Sequence, residues 1–443
     1  MRKGLFRLLC CSVLMCGLTV VPAFAEQNEA VTEAAGQDAA EPTITVNDDF
    51  VVLHLDDENV MLDYTVENVP EDAQVRVNLS DGSVLHVVDG AEIIPYSNGL
   101  CDVTVEVYIP QSMTFGDDGP QMTPEETLAV SEPIYVTVIP HERENAGIKL
   151  GIQLFNFSSM TFTPQEGIDL MRYLASLGYD GVEWVDSFIN TEEKTVFGTP
   201  YAEFKAIMDE LGLESAGRHG GGGLIGSSES EVGEIDEAKV LADVEFCETF
   251  GVKYDWVAST SFMAMGTPVD LSGYTSEELE AIIDIANQQY DLYAPYYDEA
   301  GVTMMYHNHA EMFQLDDGSF ALTHTKFAMQ VDYYWLVKAF GTIYGEENSM
   351  AEGLNYVESN ADRVVSLHIK DGTTDINNSF DSTSWGQGEF DIQSVIDIGR
   401  SHDNIEWAIV ENDNTSAVAG GAMQDARVSA LYAAGLDFTR IEN

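Results

Sequence analysis

Along residues 43–140, hydrophobic side chains fall on every second position in short runs. Val103, Val105, Val107 and Ile109 alternate with Thr104, Glu106 and Tyr108, and Gly, Asp, Asn and Pro separate the runs. This period predicts half-buried strands, and their number predicts a small all-β sandwich of immunoglobulin-like or fibronectin-like type, without a Cys-Trp-Cys signature. After a polar hinge at 141–147 the pattern changes. Apolar runs at 150–157, 181–185, 214–219, 254–259, 303–309, 329–334, 364–370 and 406–411 alternate with stretches of helical period.

The punctuation between these runs repeats. Leu177-Gly178-Tyr179, Leu211-Gly212-Leu213, Phe250-Gly251-Val252 and Ala300-Gly301-Val302 each read as a helix closed by a left-handed glycine and handed on to a strand. Thr163-Pro164 and Thr199-Pro200 read as helix starts, a capping hydroxyl followed by a proline that has no N–H to leave unpaired. Eight β-runs alternating with helices, and no Gly-rich dinucleotide loop, predict an α/β (β/α)8 barrel (a TIM barrel) over 147–443, preceded by the sandwich.

The N-terminus adds two segments. Residues 1–25 hold a basic start (Arg2, Lys3, Arg7), an apolar stretch over 8–21 and Ala23-Phe24-Ala25, the three parts of a cleavable secretory signal peptide. The apolar stretch is short for a membrane span, and Cys16 lacks the small residue that a lipoprotein site wants before it, so a secreted, extracellular or periplasmic protein without membrane insertion is expected. Residues 26–42 are Ala, Glu, Gln and Asp with almost nothing to bury, and read as a disordered acidic tether.

Composition narrows the partners. The net charge is −57, and the leader contains bases and no acids, so the remainder is more acidic still. Such a field repels phosphate backbones and anionic membrane surfaces, which argues against nucleic acid as a partner; solubility in a salty medium is the plain reading of the charge. Of five cysteines, Cys10, Cys11 and Cys16 lie in the leader, leaving Cys101 and Cys247 in different predicted domains, so neither a disulfide framework nor a cysteine metal site follows.

In a (β/α)8 barrel, chemistry gathers at the C-terminal ends of the strands. Here those ends carry Glu183, Arg218-His219, His307-Asn308-His309, Asp332, His368-Ile369-Lys370 and Glu411-Asn412-Asp413. Singly, a strand-end acid caps the next helix and a histidine packs. Together, imidazole and carboxylate at one mouth suit a divalent Mn, Zn, Co or Fe ion better than Ca. Trp335 and Trp385 fall in or beside mouth loops where a ring face can stack on a sugar. For Trp184, Trp256 and Trp407 core packing is the expectation.

These residues resemble the sugar phosphate isomerase/epimerase family of xylose-isomerase-like TIM barrels, from about Gly147 onward. The resemblance rests on Gly151-Ile152-Gln153-Leu154, Gly178-Tyr179-Asp180-Gly181-Val182-Glu183-Trp184, Tyr306-His307-Asn308-His309, Val331-Asp332-Tyr333-Tyr334-Trp335, Leu367-His368-Ile369-Lys370-Asp371, Gly386-Gln387-Gly388-Glu389-Phe390-Asp391 and Val410-Glu411-Asn412-Asp413. It implies a divalent metal held by Asp332, His368 and Glu411, with His307 where the family has a glutamate. In the epimerases of that family the two metal-bound glutamates exchange the proton, so this departure weakens a symmetrical two-base scheme. Glu411, Lys370 and His309 are then the candidate acid/base residues, with Glu183, His219, Trp335 and Trp385 facing substrate; the Gly386-Gln387-Gly388 turn resembles the family's substrate loop.

The resulting expectation is a secreted, metal-dependent sugar isomerase or epimerase, or a keto-glycoside lyase, that removes a proton next to a carbonyl. Arg218 and Lys370 are the evident cations at the mouth, so an unphosphorylated carbohydrate is expected. The alternative is a non-catalytic carbohydrate-binding protein on the same scaffold, its sandwich making cell-surface or homo-oligomer contacts. Abasic-site endonucleases share the barrel type but need a basic groove, which this charge does not provide.

Overall fold

Eight parallel strands close into a barrel in sequence order: β1 (Lys149–Gln153), β2 (Gly181–Val185), β3 (Glu214–His219), β4 (Tyr254–Trp256), β5 (Thr303–His307), β6 (Ala328–Asp332), β7 (Val364–Ile369) and β8 (Trp407–Val410). The ring is completed where β8 pairs back onto β1, with Lys149 opposite Trp407 and Leu150 opposite Ala408. The computed structural model describes residues 40–116, 119–140, 147–220, 235–256, 274–310, 312–378 and 380–441. The expected leader, most of the tether and most of the hinge lie outside these residues.

The helices are α1 (Pro164–Ser176), α2 (Tyr201–Leu211), α3 (Glu237–Phe250), α4 (Ser276–Ala300), α5 (Tyr333–Tyr344), α6 (Glu346–Ser359), α7 (Ile392–Ser401) and α8 (Gly421–Ala433). Their ends follow the local chemistry. Thr163 and Glu166 form a reciprocal capping box at α1, with Pro164 in its first turn. Gly212, Gly251 and Gly301 close α2, α3 and α4 at φ of 73°, 70° and 69°. Thr199 is a correction: it pairs with Val196 in a small sheet, and α2 starts at Tyr201 with no side-chain cap. The alternation is also uneven, since β5 is followed by a short 3-10 turn (Ala321–His324), whereas α5 and α6 both lie between β6 and β7. Among the described residues no helix is long and apolar enough to cross a membrane.

Before the barrel lie small, mainly antiparallel sheets. The long strand Gly99–Ile109 pairs with Gln74–Leu79, Glu126–Val130 and Ile134–Ile139, and the last of these pairs in parallel with Phe50–His54. A three-stranded sheet (Val60–Met61, Leu85–Asp89, Glu92–Pro95) shares a core with it, built from residues such as Leu62, Leu85, Ile93, Val103 and Val136. Expected alternation holds for Val103, Val105 and Val107, which are buried; Glu106 between them is buried too because Arg76, Asn78 and Thr127 all bond its carboxylate.

These sheets rest on the α8–α1 side of the barrel, within one compact unit from Pro42 to Asn443. The buried guanidinium of Arg427 on α8 donates to Asp102 Oδ1 at 3.1 Å and lies 5.0 Å from the ring centre of Tyr135. Phe50 packs on Tyr173 of α1 at 5.5 Å between ring centroids.

Inside the barrel an apolar cluster of Ala216, Tyr254, Met305, Trp407 and Ile409 packs together. Trp407 therefore belongs to the core, as does Trp184, which sits outside the barrel wall among Phe204, Phe246 and Phe250. The other inward positions, Gln153, Glu183, His307, Gln330 and His368, are polar and wholly buried. A buried polar layer is costly unless its hydrogen bonds are complete, so its pairing is informative.

Candidate functional site

Four side chains at the ends of consecutive strands converge. His307 ends β5, Asp332 ends β6, His368 lies one residue before the end of β7, and Glu411 follows β8. All four are buried, and each offers a ligand atom within 4.8 Å of those of the others. Two imidazoles with two carboxylates gathered in this way suit Zn, Mn, Co or Fe.

The layer beneath orients these donors. Gln330 donates from Nε2 to Glu183 Oε1 at 2.5 Å and to Ser366 Oγ at 3.0 Å, which aims its carbonyl at the histidines. That carbonyl lies 3.0 Å from His307 Nδ1 and 2.6 Å from His219 Nε2. The network thus assigns the proton of His307 to Nδ1 and leaves a lone pair on Nε2, 3.6 Å from Asp332 Oδ2. Burial, and then the neighbouring His219 and His368, push the His307 pKa well below the usual value, so the ring is neutral, as a ligand must be.

His368 is held from both sides. Its Nε2 lies 2.6 Å from Glu183 Oε2 and its Nδ1 lies 2.7 Å from Glu411 Oε2. Burial alone lowers its pKa, but Glu183 and Glu411 outweigh burial and raise it to about 10. Glu411 moves the other way: burial raises its pKa, while Lys370 and His368 bring it well below the usual carboxylate range.

Lys370 is a full member of the cluster. Its Nζ bonds Asp332 Oδ2, lies 2.6 Å from Glu411 Oε2 and 3.3 Å from Asp413 Oδ2, and is buried. Burial lowers its pKa, but Asp332, Asp413 and Glu411 overcome this and raise it well above the usual value. A base near neutrality needs the opposite direction. Lys370 is therefore placed as a charged ammonium beside two of the four converging groups. Asp332 has a second task, since its Oδ1 accepts from the backbone N–H of Trp335 at 3.0 Å and caps α5.

The remaining sequence candidates separate. Glu183 does not face the mouth: Gln153, Gln330 and His368 bond its two oxygens, and it is wholly buried beneath the cluster. That corrects its reading as a substrate contact. His219 stacks on His368, with centroids 5.0 Å apart and planes 8° apart. His309 lies beyond the end of β5, so strand alternation no longer governs it; its ring is 5.1 Å from that of His307. Burial, then the charge of Lys370, lowers its pKa to about 3. Trp335 lies at 5.8 Å from His309 and 5.9 Å from Phe380, and its buried Nε1 has no hydrogen-bond partner among the described residues.

Trp385 is wholly buried, and its Nε1 donates to the carbonyl of Ile369 at 2.7 Å, which makes it an anchor of the loop after β7. The Gly386-Gln387-Gly388 turn that follows is gathered by Asp371, whose Oδ2 accepts the N–H groups of Gly386 and Gly388 at 2.8 and 2.9 Å. Gly386 sits at φ 81°, and a Cβ on Gly388 would stand 2.2 Å from Asp371 Oδ1, so both glycines are required by this turn.

Arg218 needs correction too. It points out of the barrel, bonding Asp186 and Asp243 at 2.7 Å and Asp255 at 3.0 Å, and is not a cation of the mouth. Trp256, expected in the core, packs against the apolar cluster inside the barrel and also lies 4.7 Å from His219 and 5.7 Å from His307. Gln153 and Gln330 were missed, because a mid-strand glutamine looks like any other polar strand residue until the fold gives it two partners.

The sequence profile of the Xylose isomerase-like TIM barrel family matches residues 171–440, and the chain belongs to that family. No curated protein matches the chain. Among solved structures it is similar to a sugar phosphate isomerase/epimerase from Parabacteroides distasonis, at 17% identity over 67% of this chain and 97% of that one, TM-score 0.47. It is similar as well to the 3-keto-D-glucoside 4-epimerase of E. coli, at 19% identity over 64% and 97% of the two chains, TM-score 0.44. The IOLI protein, whose structure has a bound zinc atom, aligns at 13% identity over 65% and 96%, TM-score 0.46.

Proposed function

We propose that the barrel is a divalent-metal-dependent isomerase or epimerase, or a keto-glycoside lyase, acting on an unphosphorylated carbohydrate by proton removal next to a carbonyl. The observation that carries this is the convergence of His307, Asp332, His368 and Glu411, with ligand atoms within 4.8 Å of one another at four successive strand ends. His307 would hold the cation through Nε2, with Nδ1–H held by Gln330, and His368 would hold it through Nδ1, with Nε2–H held by Glu183; both are the orienting arrangement that metal-bound histidines adopt. A bound divalent cation supplies polarisation of the substrate carbonyl and stabilises the negative charge that develops there.

The chain's own groups divide the proton work unequally. Glu411, held ionised, is the acceptor for the proton next to the carbonyl. Lys370, held protonated 2.6 Å from it, stabilises developing charge and returns a proton from Nζ. His309 and Trp335 line the approach, and Trp335 offers an indole N–H for a substrate oxygen. This is an acid and a base of different kinds, consistent with a histidine in place of a strand-five glutamate.

The unphosphorylated substrate is supported by the occupation of both expected cations. Arg218 is held by Asp186, Asp243 and Asp255, and Lys370 by Asp332, Glu411 and Asp413, so neither is left over for a phosphate. Export rests on the leader pattern at 1–25. The direct test of the reaction is exchange of a substrate C–H with deuterated water, followed over aldoses, ketoses and keto-glycosides. Exchange that Glu411→Gln abolishes supports the proposal; no exchange from metal-loaded protein with any of them contradicts it.

A further inference from the structure

A cavity of about 470 Å³ lies on the same end of the barrel as the cluster, between the loop after β7, the loop after β8 and the N-terminal sheets. Its volume falls within the range of small-molecule sites, about 300–1,000 Å³. In a chain of net charge −57 its lining carries no charged side chain. Five lining residues are hydroxyls or amides: Ser382, Thr383, Ser384, Gln387 and Gln424. Val418, Val428 and Leu100 supply aliphatic surface, and Leu100 belongs to the long strand Gly99–Ile109 of the N-terminal sheets.

The polar wall is prearranged. Ser384 Oγ donates to Asp425 Oδ1 at 2.7 Å, and Ser382 Oγ donates to Asn412 Oδ1 at 2.9 Å. Asn412 in turn donates to Asp425 Oδ1 at 2.8 Å. Both serine protons are therefore spent inward, which leaves hydroxyl lone pairs as acceptors for a ligand's O–H groups. Gln387 stands on the turn fixed by Asp371, and Gln424 has a buried Oε1 without a hydrogen-bond partner among the described residues. Asn412 is the residue after Glu411, so the chain joins this wall to the proposed metal centre. Asp102, which fastens the N-terminal sheets to Arg427 of α8, is two residues from Leu100, so this end of the long strand is held at the cavity.

We infer that this cavity is a subsite for an uncharged carbohydrate unit, such as the non-reacting glycosyl unit of a glycoside. Neutral hydroxyl and amide groups interspersed with aliphatic surface match a sugar ring, which presents both O–H groups and apolar C–H faces. The inference rests on the proposed function for what happens to the reacting unit. It also gives the N-terminal sheets a task, as one wall of the subsite.

The test uses binding, so that it stands apart from turnover. The metal-loaded chain, with Ala419→Trp and Gln387→Ala variants, is titrated with glucose, cellobiose, maltose and lactose by saturation-transfer NMR. Ala419 is an exposed lining residue outside the cluster, so a tryptophan there fills the cavity from its rim. The inference expects at least one disaccharide to bind the wild type about tenfold tighter than glucose. Both variants should reduce that disaccharide to the level of glucose while metal content and melting temperature stay unchanged. Disaccharides that bind no better than glucose, or a tryptophan variant that binds them as the wild type does, overturn it. Disaccharide binding lost in the variants, with no C–H exchange on any sugar, keeps the subsite and removes the isomerase reading.

Discussion

Nε2 of His368 and Oε2 of Glu183 stand 2.6 Å apart at the bottom of the cluster, and this contact decides which nitrogen of the ring is turned toward Glu411. Glu183 is itself fixed by the amides of Gln153 and Gln330, each at 2.5 Å. Replacing Glu183 by glutamine keeps the size of the side chain but sets an amide among amide donors. Metal affinity is expected to fall by about 10–100-fold, the usual effect of removing such a support. Competition of the purified variant against a chromophoric chelator measures it; unchanged affinity would mean that Glu183 has no part in orienting His368.

Lys370 competes for the oxygen of Glu411 that lies nearest His368. An ammonium within about 5 Å of a divalent ion opposes it even at an effective dielectric near 20. Lys370→Met is expected to retain metal roughly tenfold more tightly while losing C–H exchange. The same chelator competition reads the first effect and deuterium incorporation the second.

The protonation of His368 gives a pH dependence with a definite sign. Its pKa in the metal-free fold is raised to about 10, above an unfolded value near 6.5. Its contribution to stability is therefore complete below about pH 6.5 and disappears as pH rises through about 10. The melting temperature of metal-free protein is expected to decline over that window, and His368→Asn to flatten the decline. Metal uptake near pH 7 is expected to release a proton from this ring, read as heat that varies with the ionisation enthalpy of the buffer.

Trp335 has a ring packed between His309 and Phe380 and a buried N–H lacking an acceptor among the described residues. Phenylalanine there keeps most of the ring and removes the donor. Trp335→Phe is expected to weaken carbohydrate binding by about tenfold with metal content unchanged, the effect of one lost hydrogen bond. Equal affinity in titrations of the two proteins would show that the indole N–H does not meet the ligand.

Much of this was legible in the sequence, and for a physical reason. Strand-end position in a barrel is nearly a spatial coordinate, so His307, Asp332, His368 and Glu411 fell among the residues expected at one mouth, and the family resemblance singled them out from the rest. The left-handed glycines after α2, α3 and α4 were legible because few other residues hold that conformation. What failed depended on direction and partners. Arg218 and His219 are adjacent on β3 and point to opposite sides of the wall, and only the fold shows that three aspartates wait outside for Arg218. Trp385, expected to face substrate, is instead buried and tied to Ile369. Thr199 next to Pro200 has the composition of a cap, but pairing with Val196 takes it first.

The measurement that tests the central claim most directly is elemental analysis of the purified chain beside His307→Ala, Asp332→Ala, His368→Ala and Glu411→Ala. The account predicts about one Zn, Mn, Co or Fe per wild-type chain, as expected of a single site with two imidazole and two carboxylate donors. It also predicts loss of that metal in each variant, with circular dichroism showing all of them folded. Wild-type protein that takes up no metal after reconstitution, or variants that keep a full equivalent, would contradict it.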